Sequence, residues 1–106
     1  MRYFKTQEQA VSLFKQLNAA AETGKVIFIV VDNAKQIKPL INDLAIFLQN
    51  KDIRVMNDGI RLKGNKEQAS KTIKVVPNLD YIIKGIPATQ IIRMEGVMNG
   101  TTTSNN

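Results

Sequence analysis

A run of seven residues, Lys25-Val26-Ile27-Phe28-Ile29-Val30-Val31, predicts the central element of the protein. Its apolar, mostly β-branched side chains follow one another without the polar alternation of a half-exposed strand, which indicates a β-strand covered on both faces. The apolar part is far shorter than the about 20 residues that cross a membrane. We therefore expect a buried strand in a sheet on which helices pack.

An amphipathic helix is predicted before this strand. Thr6 and Gln9 have the spacing of a capping box, in which each side chain accepts a hydrogen bond from the other residue's backbone N–H. Apolar residues then recur at helical spacing. Gly24 is expected to end the helix in the left-handed cap conformation that glycine adopts without strain.

A second helix is predicted after the strand. Asp32 and Asn33 are both residues that cap helix N-termini, and apolar residues recur at helical spacing from Ile37 to Leu48. Because proline removes a backbone N–H donor, Pro39 favours a regular helix that begins near Pro39 itself. We expect this helix to run to about Lys51.

Short strands are predicted in the second half of the chain. Residues 53–56 and 60–63 flank Asn57-Asp58-Gly59, a typical hairpin turn in which glycine tolerates positive φ. After a polar loop, residues 72–76 form another predicted strand, which Pro77 ends. A single helical turn is expected within residues 79–84, and residues 89–94 form the last predicted strand.

The order of these elements predicts an α/β fold that tends to α+β in its second half. We expect a small mixed sheet with a central parallel strand, two main helices and a β-hairpin. Residues 1–100 are predicted to form one domain. Residues 101–106 have the small, polar composition of a disordered tail.

Composition removes most enzyme chemistries. The chain has no cysteine and no histidine, so thiolate sites, disulfides and histidine-based acid–base catalysis are excluded. The nine acidic residues are scattered singly, and the six glycines form no phosphate-binding motif. We expect a non-enzymatic protein without cofactor or metal. With no apolar leader after Met1, it is expected to be cytoplasmic and to bind no membrane.

Asp32 is a candidate functional residue because of its position. It follows the central strand, and open α/β sheets often place functional groups at the carboxyl ends of their strands. The competing interpretation is structural, with Asp32 capping the second helix.

Two segments, residues 25–41 continuing through 53–55 and residues 82–95, resemble part of the P-loop core of helicases and phage large terminases. Residues 25–41, continuing through 53–55, are similar to the strand, helix and strand that follow the P-loop helix in that family. Residues 82–95 resemble the stretch that leads into its Walker B strand. No Walker A motif precedes the first strand, and Glu95 stands alone where the family has an Asp-Glu pair. The resemblance implies a related fold without the nucleotide machinery.

A second resemblance is to the small cell-division domain that tethers tubulin-like filaments. That domain shares the order of helix, strand, helix and strand. It lacks a counterpart for the residues after Val76, and its membrane-binding N-terminal helix is absent here.

Basic residues are concentrated in one third of the chain. The formal net charge is +6, and residues 51–84 contain eight basic and four acidic residues, so this segment carries most of it. A basic surface favours polyanionic partners such as nucleic acid. Strand alternation places Arg54, Arg61, Lys63 and Lys74 on a face that points away from the core.

These observations leave two function classes open. The first is a non-catalytic, nucleic-acid-associated accessory protein, of phage or mobile-element type, that contacts phosphates through the basic hairpin. The candidate nucleic-acid-binding residues are Arg54, Arg61, Lys63, Lys66, Lys71 and Lys74. The second is a protein–protein interaction module that oligomerises or inhibits a partner, in which the charges only keep the protein soluble and guard a strand edge.

Overall fold

A computed structural model describes residues 2–49 and 51–100 of the chain. Its helices and strands are, in chain order, α1 (Gln7–Thr23), β1 (Val26–Val30), α2 (Ile37–Phe47), β2 (Ile53–Met56), β3 (Gly59–Leu62), β4 (Lys71–Val76), β5 (Ile91–Arg93) and α3 (Met94–Gly100). Single 3-10 turns lie at Ala34–Gln36, Leu79–Tyr81 and Ala88–Gln90.

The five strands form one mixed sheet with the order β2-β3-β4-β1-β5. β1 pairs in parallel with both β4 and β5, whereas β2 with β3 and β3 with β4 are antiparallel. The predicted α/β fold, with its parallel inner strand and its hairpin, is confirmed. β1 has a strand on each side, as its continuous apolar sequence indicates.

Helix α1 begins as predicted and ends for a different reason. The Thr6 hydroxyl accepts a hydrogen bond from the backbone N–H of Gln9, and the Gln9 side chain accepts one from the backbone N–H of Thr6. Gly24, which follows the helix, is extended, with φ −166°, so the predicted left-handed cap is wrong. A Cβ on Gly24 would lie 2.6 Å from Nε2 of Gln90. Space, and not backbone strain, favours glycine there.

Helix α2 begins at Ile37, two residues before the predicted start at Pro39. Pro39 lies in the first turn, where backbone N–H groups have no partner within the helix, so its missing donor costs nothing there. The preceding 3-10 turn is capped by Asn33, whose side-chain oxygen accepts from the backbone N–H of Lys35 at 2.9 Å. The helix ends at Phe47, earlier than the predicted Lys51.

The hydrophobic core lies between the sheet and the three helices. On β1 and β4, Ile27, Ile29, Ile73 and Val75 point toward the helices. They are buried in one cluster with apolar side chains of α1, α2 and α3: Ala10, Leu13, Leu17, Ala20, Leu40, Ile41, Leu44, Met94 and Val97.

The opposite face of the sheet is covered over β1. Phe28 and Val76 are buried, yet they alternate with the helix-facing residues and lie outside the main cluster. The connection formed by residues 77–90 joins β4 to β5, so it must cross β1, which lies between them. The connection that leaves β1 through α2 runs toward β2, whereas the connection from β4 to β5 runs the other way along the sheet. Because crossovers between parallel strands are right-handed, the connection from β4 to β5 lies on the face opposite α2. Its half-buried Ile82 and Ile86 are suited to cover Phe28.

The end of the described chain differs from the prediction. The predicted strand at residues 89–94 is shorter, because a 3-10 turn ends at Gln90 and α3 begins at Met94. Helix α3 was not predicted. The predicted tail at residues 101–106 lies outside the described residues.

A buried carboxylate holds the N-terminal segment against α2. Asp43 is 2% exposed and accepts hydrogen bonds from the backbone N–H groups of Arg2 at 3.0 Å, Tyr3 at 2.8 Å and Phe4 at 3.1 Å. Burial by itself would raise the pKa of Asp43, but the three N–H donors stabilise the charged form and hold it below its usual value.

Candidate nucleic-acid interface

The hairpin of β2 and β3 turns through Asn57 and Asp58, with Met56 paired to Gly59. The predicted hairpin is present, but the expected positive φ at Gly59 is wrong. Among the described glycines, positive φ is found at Gly85. Gly59 is buried in β3, and a Cβ on it would lie 2.1 Å from the backbone oxygen of Ile73 in β4. The close approach of two strands selects glycine at this position.

Two arginines lie directly across from each other in this hairpin. Arg54 of β2 pairs in register with Arg61 of β3, and both are exposed. Their neighbours Ile53 and Leu62 also pair with each other and contact the helix-side core, so alternation turns the arginines to the other face. Side chains that face each other in an antiparallel pair have Cβ atoms about 4.5–5.5 Å apart.

Neither arginine is neutralised within the part of the chain that the structure describes. No Asp or Glu oxygen of residues 2–49 and 51–98 lies within 4.0 Å of either guanidinium group. Like charges that face each other across a sheet are destabilising. The pair is therefore a local excess of positive charge.

Lys74 extends the same face onto β4. It pairs with Gly59, two residues before Arg61, and Thr72 of β4 lies opposite Arg61. The ammonium of Lys74 is 3.5 Å from Oδ2 of Asp58 in the hairpin turn, and both side chains are about half exposed. We call Arg54, Arg61, Thr72 and Lys74 the arginine face.

Lys63 and Lys66 lie at the open end of the hairpin. Lys63 follows β3, and its ammonium is 4.0 Å from Oδ1 of Asp52, with both side chains largely exposed. Lys66 lies in the exposed loop between β3 and β4. Exposed ion pairs of this kind contribute only about 0–1 kcal/mol, so phosphates can replace the carboxylates at Lys63 and Lys74.

Lys71 is separated from the other predicted residues. It pairs with Leu62 and therefore points toward the helices. Its ammonium donates a hydrogen bond to the backbone oxygen of Ala21 near the carboxyl end of α1. The structure thus brings Arg54, Arg61 and Lys74 onto one face, places Lys63 and Lys66 at its end, and puts Lys71 on the other side of the sheet.

Arg93 is a basic residue of the same face that the sequence prediction missed. It is exposed on β5 and pairs with Val30, which faces away from the helices like Phe28. The connection of residues 77–90 lies between Arg93 and the hairpin. Because Arg93 follows the buried Ile92, strand alternation in the sequence could have indicated that Arg93 points away from the core. The sequence did not indicate that β5 lies at the opposite edge of the sheet from the hairpin.

Asp32 is exposed at the carboxyl end of β1 and does not cap the following turn, since Asn33 does. Its backbone N–H donates to Oε1 of Gln36 at 2.8 Å.

Burial, reinforced by the negative charge of Asp32, raises the pKa of Tyr3 to about 12. The described residues contain no group of three or more His, Cys, Asp or Glu side chains that could hold a metal ion.

No protein-family model, curated protein or solved structure shows significant similarity to this chain. In the described part of the chain, no helix has the length and apolar character needed to span a membrane.

Proposed function

We propose that this protein binds nucleic acid without catalysis, and that the arginine face contacts the phosphate backbone. The observation that carries this proposal is the register pairing of Arg54 with Arg61 on an exposed face. Two unneutralised guanidinium groups side by side weaken the free protein, and a phosphate placed between them removes that repulsion. Each guanidinium can also bind a phosphate through two N–H groups.

The chemistry of this face favours the backbone over the bases. Thr72 and the lysines offer donors to phosphate oxygens. The arginine face contains no aromatic side chain on which an unpaired base could stack. Binding is therefore expected to be electrostatic and tolerant of sequence.

Fluorescence anisotropy with labelled duplex DNA, from low to moderate salt, tests the proposal. If Arg54, Arg61, Lys63 and Lys74 neutralise about four phosphates, the logarithm of the binding constant should fall with the logarithm of salt at a slope of roughly −3 to −4. Reversing both arginines, Arg54→Glu with Arg61→Glu, should reduce that slope by about two.

A matched control keeps the charge change constant. Lys15→Glu with Lys38→Glu also reverses two exposed cations, on α1 and α2, and should leave most of the binding intact. The double arginine reversal keeps two like charges in register, so it should not gain stability from relief of repulsion. A parent protein that fails to bind at low salt, or equal binding by the two double variants, would reject the proposal.

A second candidate function is favoured by the connection between β4 and β5. Leu79, Tyr81 and Ile83 are 41%, 63% and 69% exposed, which is high for large apolar residues in one short segment. They suit a protein–protein interaction module. A complex with a protein that is lost on Tyr81→Ser with Ile83→Ser, together with no DNA binding by the parent, would favour this second function.

A further inference from the structure

A cleft of about 520 Å³ opens on the helix side of the sheet, away from the arginine face. It lies where the second half of α1 passes over the amino ends of β1 and β4, beside the residues that follow α2. Its volume falls within the roughly 300–1,000 Å³ that is usual for small-molecule sites.

The interior of the cleft is apolar. Ile27 of β1 and Ile73 of β4 pair with each other beneath it, and both are almost fully buried. The apolar side chains that line it are Phe14, Leu17, Ile27, Leu48, Leu62 and Ile73. Small residues keep it open, because Ala21 of α1 and Ala69 of the loop before β4 stand where larger side chains would fill the space.

The lining is cationic as well as apolar. Three lysines contribute from three separate segments: Lys51 before β2, Lys63 after β3 and Lys71 at the start of β4. Glu22 is the one carboxylate among the lining residues. Lys71 is partly buried, and its ammonium has three N–H donors, of which the Ala21 oxygen takes one. Donors therefore remain for an anion that enters the cleft.

We infer that this cleft is a binding site for a small amphiphile with an apolar chain and an anionic head, such as an aliphatic carboxylate. The apolar chain packs against the partly exposed Phe14, Leu48 and Leu62, and the head group contacts the ammonium groups of Lys71, Lys63 and Lys51. Charge complementarity selects an anionic occupant over a neutral or cationic one. The cleft lies on the helix side of the sheet, opposite the arginine face, and Lys63 at the end of the hairpin is the one residue that both proposals use.

Titration with decanoate, below its micelle concentration, tests the site on the full chain. Methyl NMR resonances of Leu17, Leu62 and Ile73 should shift, whereas those of Ile92, which lies in β5 and outside the cleft, should stay. Decyltrimethylammonium has an apolar chain of the same length with a cationic head. It should bind at least about tenfold more weakly, because its head is repelled by the lysines that attract the carboxylate of decanoate.

Four variants separate the cleft from general surface effects. Ala21→Leu fills the cleft and should abolish the shifts, whereas Ala19→Leu, two residues away on the same helix and outside the cleft, should not. Lys51→Glu with Lys63→Glu should weaken decanoate binding by about tenfold, because it replaces two attractive charges with repulsive ones. Arg54→Glu with Arg61→Glu should leave decanoate binding unchanged even where it abolishes DNA binding.

The inference is overturned if decanoate shifts no methyl resonance of the cleft, if the cationic amphiphile binds as well as decanoate, or if Ala21→Leu binds decanoate like the parent. None of these outcomes bears on DNA binding by the arginine face.

Discussion

Arg54 and Arg61 face each other across the hairpin, so their like charges repel each other in the free protein. Replacing Arg61 by threonine removes the repulsion and introduces a residue with good strand propensity. We expect Arg61→Thr to raise the free energy of unfolding by about 0.2–1 kcal/mol while weakening DNA binding. Urea denaturation measures the first effect and anisotropy the second. Lys66→Thr, in the exposed loop, is the control and should leave stability nearly unchanged; a less stable Arg61→Thr would show that the guanidinium groups do not repel each other.

Asp43 should make the protein sensitive to acid. Asp43→Asn keeps the shape, but an NH2 group replaces one carboxylate oxygen and faces at least one backbone N–H donor, which should cost roughly 1–3 kcal/mol at neutral pH. Because the folded-state pKa is lowered, the stabilisation by Asp43 is complete above the unfolded pKa of about 3.9 and is lost as the pH falls through the lower folded value.

Urea denaturation of the parent and Asp43→Asn at neutral pH and near pH 3 measures this effect. The difference in their free energies of unfolding should shrink in acid. The exposed Asp80→Asn variant, measured at the same two pH values, is the control. An Asp43→Asn penalty that is constant with pH would mean that the carboxylate charge does not hold the N-terminal segment.

Gly59 and Gly96 should respond in opposite directions to the same substitution. Gly59→Ala forces a Cβ against the Ile73 carbonyl oxygen, so β3 and β4 must separate, at a cost of about 1–3 kcal/mol or more. A Cβ at Gly96 in α3 meets no atom within 4 Å, and alanine there should stabilise the helix by up to about 1 kcal/mol. Thermal melts of the two variants check both signs, and equal melting temperatures would disprove the close approach at Gly59.

Gln90 should act as a polar bridge between α1 and the sheet. It is 3% exposed; its Nε2 donates to the backbone oxygen of Val26 at 3.0 Å, and its Oε1 accepts from the Thr23 hydroxyl. Gln90→Met keeps the length but leaves the Val26 oxygen without this partner, which should cost about 1–3 kcal/mol. The exposed Gln16→Met on α1 is the matched control, and chemical denaturation should separate the two variants.

Features that depend on neighbouring residues in the chain were predictable from the sequence. The capping box of Thr6 and Gln9, the buried strand β1 and the hairpin around Asn57-Asp58 are each encoded within a few residues. Alternation also placed Arg54, Arg61 and Lys74 on one face, as the register shows. Their binding of nucleic acid stays a prediction.

Features that depend on distant contacts were not predictable. Gly59 and Gly24 are glycines because Ile73 and Gln90, far away in the chain, approach them closely. Lys71 joins the helix side because β4 begins at Lys71, one residue before the predicted strand, and alternation then places it with Ile73 and Val75. Helix α3 is short and contains glycines, and its buried Met94 and Val97 tie it to the core, so packing compensates for weak local propensity.

The parallel pairing of β1 has a consequence for how the chain folds. Ile27 pairs with Ile73, and nearly half of the chain lies between these two residues. Phe28 pairs with Ile91, and more than half of the chain lies between them. Closing such loops loses chain entropy before any contact compensates, whereas the hairpin of β2 and β3 needs only a tight turn. We expect the hairpin and its pairing with β4 to form early, and β1 to insert between β4 and β5 late. The rate-limiting step is then the completion of the central strand, and the two halves of the chain reach their final arrangement only when it is in place.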